Sequence, residues 1–186
     1  MADIDRETKV QRFRSLHTGP TLVLPNAWDA GSAVLMAQAG AAAIATTSGG
    51  VAWSLGRRDG QQVGRDEMID VVRRIAAAVD VPVSADVEGG YGADPSAVAL
   101  TVEAVVEAGA VGVNLEDSGA ADGGLFGIGE QADRLGAARA SAVSSGRPEL
   151  VINARTDVYL FQIGAPEERF DHVLSRAAAY AEAGAD

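Results

Sequence analysis

The sequence predicts an α/β fold, a (β/α)8 TIM-type barrel of which roughly the first five βα units are present. Three observations predict it. Short β-rich runs alternate with longer alanine-rich helical runs along most of the 186 residues. Each β run is nearly continuously apolar where it starts and polar where it ends, as expected of parallel strands covered on both faces. Helical runs close on Ala39-Gly40-Ala41, Ala108-Gly109-Ala110 and Ala183-Gly184-Ala185, each glycine placed to take a left-handed cap conformation.

In order, the chain opens with an amphipathic segment in which Ile4, Val10, Phe13 and Leu16 share a helical face. The β runs follow as TLVLP (21–25), AAAIATTS (41–48), VPVSADVE (81–88), AVGVNLED (110–117) and LVINARTD (150–157). Helical stretches are expected near 30–39, 65–79, 95–108, 131–145 and 166–183, with Asp94 as N-cap and Pro95 in the first turn of the third. After the last glycine cap the repeat calls for another strand. Five units are five-eighths of a barrel whose ordinary length is roughly 250 residues. Residues 1–186 are therefore read as one domain, a C-terminally incomplete barrel expected to continue for roughly 60 to 100 residues. An open five-stranded doubly wound sheet is the alternative at this length.

Composition narrows the function. Fifteen Lys and Arg against 26 Asp and Glu leave a net charge of −11, which repels polyanions and argues against a nucleic-acid partner. Hydrophobic residues at 47% and charged residues at 22% are values of a folding chain, not a disordered one. The absence of cysteine excludes disulfides, thiolate ligands and a catalytic thiol. The first fourteen residues are charged and no run of eighteen apolar residues exists, so a cytoplasmic protein with no membrane partner is expected.

In parallel α/β folds ligands sit beyond the carboxyl ends of the strands, so those ends form a candidate site before any coordinates are known. Four consecutive ends are polar: Thr47-Ser48-Gly49-Gly50, Asp86-Val87-Glu88, Asn114-Leu115-Glu116-Asp117 and Asn153-Ala154-Arg155-Thr156-Asp157. Asp86 and Glu88, two apart, face the same way on an extended strand and make a carboxylate shelf to which Glu116 adds a third group. Crowded carboxylates call for a cation, and oxygen ligands without Cys or nearby His favour Mg²⁺, with Mn²⁺ as a substitute, over zinc. Arg155 faces this cluster with a fork suited to a carboxylate or phosphonate, although it could equally pair with Glu116 as structure.

Gly89-Gly90-Tyr91-Gly92 suits close backbone approach to a ligand or a simple turn, and it does not fit the dinucleotide fingerprint. Residues 118–129 are glycine-rich enough for a lid or for a plain surface loop. His17 and His172 are read as surface or packing residues. Trp28 and Trp53 are read as pocket wall or core.

Taken together, PNAWDAGSA, ATTSGG followed by GRRDG, SADVEGGYG, VNLEDS and INARTDVYL, in this order and spacing, resemble the isocitrate lyase and phosphoenolpyruvate mutase superfamily from about residue 20 to the C-terminus. The resemblance implies a (β/α)8 barrel holding Mg²⁺ and a small 2-oxo acid at its carboxyl end. It places Asp59, Asp86, Glu88 and Glu116 on the metal side, Ser48 and Gly49 at the substrate and Arg155 on its anionic group.

The implied roles are catalysis by Arg155, Glu116 and Asp59, substrate binding by Ser48, Gly49, Asn114 and Arg155, and metal binding by Asp86 and Glu88. The lyase branch carries a Lys-Lys/Arg-Cys-Gly/Ser-His segment after strand four, and this chain has no cysteine there. The mutase branch has Asp where this chain has Glu88, and a Lys- and Asn-bearing lid where it has GAADGGLFG. The expectation is thus a Mg²⁺-dependent lyase that cleaves a C–C bond of a small carboxylic acid to give a 2-oxo acid through an enolate, homo-oligomeric at full length. P–C chemistry on phosphonopyruvate-like substrates and a non-catalytic metabolite-binding protein are the alternatives.

Overall fold

The computed structural model describes residues 2–119 and 124–186. Five strands, β1 (Asn26–Ala27), β2 (Ile44–Thr46), β3 (Val83–Asp86), β4 (Gly112–Glu116) and β5 (Val151–Arg155), form one sheet in the order β1-β2-β3-β4-β5. Every neighbouring pair is parallel. This order decides between the two expected architectures. A doubly wound sheet reverses direction at a switch point, whereas a barrel adds each strand on the same side of the last. The sheet therefore corresponds to five successive staves of a (β/α)8 barrel.

The helices are α1 (Ala2–Leu16), α2 (Ala30–Gln38), α3 (Ser48–Ser54), α4 (Arg65–Ala78), α5 (Pro95–Ala108), α6 (Ile128–Ser144) and α7 (Arg169–Glu182). Val98, Val102 and Val105 of α5 and Leu135 and Ala138 of α6 bury against Ala85, Val113, Leu115 and Ile152 of the sheet. Met68, Val71 and Ile75 of α4 join Ile44, Val51 and Val83 in a second cluster. Helix α1 instead lies at the amino end of the strands, where Val10 and Phe13 pack on Ala43, Val111 and Val151. Gly112 makes that contact possible: a Cβ there would fall 2.6 Å from Phe13 Cε1. The polar strand ends are thus left at the opposite face.

Several expectations are refined. Residues 21–25 form no ladder; the Pro25 carbonyl accepts from Ala45, and pairing proper begins at Asn26. Pro20 and Pro25 have no N–H to give. The other strands are cores of the longer runs, because their polar ends turn away into loops. Ser48, read as the end of the 41–48 run, instead opens helix α3 behind Thr47, whose hydroxyl accepts from the Gly50 N–H. Asp94 and Pro95 do start α5, but the Asp94 side chain makes no cap hydrogen bond. Gly40, Gly109 and Gly184 all have the left-handed φ their positions demand. No helix among the described residues is long and apolar enough to cross a membrane.

Candidate functional site

Strand register builds the site in two layers. Asp86 pairs with Asn114, and Asn114 with Asn153, so their side chains share one face. Asp86 Oδ2 accepts from the Ser48 N–H (2.9 Å) and Oδ1 from Asn114 Nδ2 (3.1 Å), while its own N–H donates to Thr46 Oγ1 (2.9 Å). Asn153 Nδ2 in turn donates to Asn114 Oδ1 (2.6 Å). A polar rung thus crosses from β2 to β5.

Above it, Glu116 and Arg155 are register partners. Arg155 Nη1 donates to Glu116 Oε1 (2.6 Å) and Nε to Asp157 Oδ1 (2.7 Å). Ser118 Oγ lies 2.9 Å from Glu116 Oε2 and 2.7 Å from Asp157 Oδ2, tying the loop after β4 to the loop after β5.

Glu88 reaches this layer by a different route from the one alternation suggests. Strand β3 ends at Asp86, and Glu88 has a left-handed φ of 49°. Its carboxylate is buried, accepts from the Gln61 N–H, and its carbonyl accepts from the Glu116 N–H (2.9 Å). Asp59 lies in the loop between α3 and α4, close over the first turn of α3: a Cβ on Gly49 would be 3.1 Å from Asp59 Oδ2. Gln61, two residues on, accepts the Tyr91 N–H at Oε1 (3.1 Å).

Burial pushes the Glu88 carboxyl up to about 7, and Asp59, Glu116 and Asp86 push the same way by repulsion against the pull of the Gln61 N–H. Burial also raises Glu116 to about 7, although Arg155 and Ser118 draw it down. Burial opposes the charge on Arg155, but Asp157 and Glu116 outweigh it and its pKa is raised.

The groups open into a cavity of about 380 Å³ lined by Asp59, Gln61, Glu88, Glu116, Ser118 and Arg155, with Leu160 and Phe161 as an apolar wall. Asp86, Asn114, Asn153 and Arg155 also line an inner space of about 490 Å³ that runs down to Phe13 and His17.

The residues fit Mg²⁺ better than a closed metal cage. Among the described residues no group of three or more His, Cys, Asp or Glu stands ready as a ligand set. Mg²⁺ usually takes one or two carboxylates and keeps several waters. Three carboxylates on one cavity, Asp59, Glu88 and Glu116, two of them raised by burial and by neighbouring acids, supply the charge a hydrated cation would offset.

Residues 13–186 match the family model for phosphoenolpyruvate phosphomutase. The chain belongs to the phosphoenolpyruvate mutase family. Among curated relatives of this family member, 2-methylisocitrate lyase of Escherichia coli K12 is 34% identical over 166 residues, covering 85% of this chain and 53% of that protein. A Burkholderia cenocepacia J2315 structure, provisionally assigned as a phosphonomutase, superposes with a TM-score of 0.90 at 48% identity, covering 96% of this chain and 72% of that one. A phosphonopyruvate hydrolase complex with oxalate and Mg²⁺ gives 0.86 at 26% identity, covering 96% and 61%. The chain spans 53–60% of the length of the first curated relatives it matches.

In this mutase-family chain the structure brings together Asp59, Glu88, Glu116 and Arg155 at one cavity, and seats Ser48 and Asn114 on Asp86. Gly49 lies under Asp59 rather than on the cavity lining. Trp28 and Trp53 are exposed on a shallow cleft with Thr47 and Gly50, so they are neither core nor wall of the acidic cavity. His17 packs edge-on against Phe13, and His172 accepts from Arg176 Nε. Of the lid segment, residues 120–123 lie outside the described residues. Its ends are held by a Ser118–Leu125 bridge and a Phe126 N–H to Asp117 carbonyl bond (2.8 Å).

Sequence reasoning missed Gln61 and Ser118 as site residues and included Asp157 among the polar strand ends without a role of its own. Nor did it foresee the buried partners of Asp117, another of those strand-end acids. Asp117 Oδ1 accepts the Asp157 N–H (2.9 Å), and its Oδ2 accepts from Tyr180 Oη (2.8 Å) and Arg176 Nη1 (3.0 Å) of α7.

Proposed function

We propose that the chain carries the acidic cluster and anion fork of a Mg²⁺-dependent lyase that breaks a carbon–carbon bond of a small carboxylic acid and yields a 2-oxo acid through an enolate. The observation that carries this reading is Arg155, forked between Glu116 and Asp157 on a cavity that three carboxylates share. Two of its five N–H groups are committed, which leaves the others for a substrate carboxylate.

Asp86 and Glu88 would hold the cation, with water completing its shell. A cation held by these two residues would offset the carboxylate charge and supply polarisation of an oxygen on which negative charge develops. Arg155 adds a second fixed positive charge, already oriented before the bond breaks, and Ser118 keeps Glu116 and Asp157 in place beneath it. With no cysteine in the segment after β4, the proton that the lyase branch takes from a thiol must come from an oxygen or nitrogen acid.

Likeness to the phosphonopyruvate hydrolase supports a second reading, P–C cleavage. The lining favours the first. Arg155 is the sole cation among the described lining residues, residues 118–133 contain no Lys, Arg or His, and Leu160 and Phe161 form the facing wall. A phosphonate dianion beside three carboxylates would find little to hold it, whereas an alkyl-bearing carbon skeleton would find an apolar surface.

Calorimetric titration with oxalate, an enolate mimic, tests the site: binding is expected only with Mg²⁺ and is expected to vanish in Asp86→Asn. Turnover on 2-methylisocitrate-like acids, oxaloacetate and phosphonopyruvate separates the reactions. Oxalate binding that ignores Mg²⁺, with no turnover on any of the three, would instead indicate a metabolite-binding protein.

A further inference from the structure

Arg134 is the largest fully buried side chain, yet no carboxylate among the described residues pairs with it. Its guanidinium is spent on backbone carbonyls instead. Nη1 donates to Gly92 (2.6 Å) and Ala93 (2.6 Å), Nη2 to Gly89, and Nε to Gln131 Oε1 (2.8 Å). One face lies 3.9 Å from the centre of the Phe126 ring. Gln131, also fully buried, passes the connection on: its Nε2 donates to the Glu116 carbonyl (3.1 Å). One turn of α6 therefore grips the segment after β3 and the end of β4 together.

Glu130 acts on Arg134 only from beyond ion-pair distance, and a buried guanidinium without a direct ion pair is costly, so this arrangement demands a compensating use. The gripped segment supplies one. Glu88, Gly90 and Tyr91 all have positive φ, at 49°, 83° and 59°. Two of the three are non-glycine residues in a sparsely populated conformation that persists only where its surroundings impose it. Gly89 has no room for a side chain, since a Cβ there would meet the Ser118 carbonyl at 2.6 Å. Arg134 takes the carbonyls of Gly89, Gly92 and Ala93, on both sides of these left-handed residues, while Gln61 holds the Glu88 carboxylate and the Tyr91 N–H from the other direction.

We propose that Arg134 is a positioning residue that holds Glu88 in its left-handed conformation and, through Gln131, sets the Glu116 backbone, so that both carboxylates face the cavity. The consequence for cation binding rests on the proposed function above; the clamp itself does not.

Arg134→Lys keeps the charge but has no planar fork to span three carbonyls. Leu135→Ala, next to it and fully buried in the core, serves as a control that destabilises α6 without touching the clamp. Hydrogen exchange, thermal melting and Mn²⁺ binding by electron paramagnetic resonance in the presence of oxalate are compared. In Arg134→Lys the Gly90 and Tyr91 amides are expected to exchange about tenfold faster or more relative to β4. The Mn²⁺ dissociation constant is expected to rise about 10- to 100-fold, as when outer partners of metal ligands are lost.

Leu135→Ala is expected to lower the melting temperature while leaving both readouts close to wild type. Equal changes in the two variants at matched melting temperature would reduce Arg134 to ordinary core structure and overturn the proposal. So would wild-type exchange and affinity in Arg134→Lys. If Arg134→Lys does not fold, Gln131→Leu is read at the Glu116, Gly90 and Tyr91 amides, and unchanged exchange there overturns the proposal. Wild-type protein that fails to bind Mn²⁺ while Arg134→Lys still frees the segment would sink the cation reading and leave the clamp standing.

Discussion

Glu116 and Arg155 are register partners across β4 and β5, and their side chains meet at 2.6 Å on the face where the strands end. The pair is locked from one side by Asp157, which takes the Arg155 Nε–H, and by Ser118, which reaches both acids. Arg155→Lys should therefore fail even though charge is kept, because an ammonium cannot serve Glu116, Asp157 and a substrate carboxylate in one plane. The expected loss in kcat/KM is about 100-fold or more, with unfolding midpoint little changed. Steady-state kinetics beside a denaturant titration check it; unchanged kinetics would move the anion site elsewhere.

The raised carboxyls make a pH prediction with a definite sign. Glu88 titrates near 7 against an ordinary 4.5, so between those values the folded state keeps a proton that the unfolded chain has lost. The stability contributed by its neutral form is present below about pH 4.5 and is lost as pH rises through about 7. Without divalent cation, Glu88→Gln should be more stable than wild type at pH 8, by up to about 3 kcal/mol, and the difference should close below about pH 4.5. Added Mg²⁺ should raise the wild-type melt at pH 8 and leave the variant nearly unmoved.

At the other end of the strands, Phe13 is fully buried against Gly112. Phe13→Ala should cost about 3–5 kcal/mol, and Gly112→Ala about 1–3 kcal/mol by overpacking. Phe13→Leu should partly rescue Gly112→Ala, because the two changes share one contact. Urea unfolding of the single and double variants measures the coupling, and simple additivity would contradict the packing described.

Asp29 caps α2 reciprocally: its Oδ1 accepts the Ser32 N–H (2.6 Å), and Ser32 Oγ accepts the Asp29 N–H (3.2 Å). The Ser32 backbone and side-chain hydrogen bonds lower its pKa, so the cap is intact above the ordinary carboxylate value and fades as pH falls through the lowered one. Asp29→Ala should cost about 1 kcal/mol at pH 7, and the difference should shrink on acidification below pH 3. A urea midpoint gap that stays constant with pH would assign the loss to something other than the charged cap.

The sequence by itself determined the alternation of strands and helices, the left-handed glycines at Gly40, Gly109 and Gly184, and the carboxylates and arginine waiting at one edge. These were legible because each is a local property: a period, a cap or a run of one polarity that a residue shows with its near neighbours. Only the tertiary structure decided that Glu88 leaves the strand and turns left-handed, that Asp157 and Ser118 complete the Arg155 fork, and that Arg134 spends a buried charge on the carbonyls of Gly89, Gly92 and Ala93. Arg134 reads in sequence as one more charge on an alanine-rich helix. Its partners lie 41 to 45 residues away, and Asp117 meets Tyr180 across 63. Such pairings depend on strand register and helix placement, quantities set by packing the whole sheet at once rather than by any short stretch of chain.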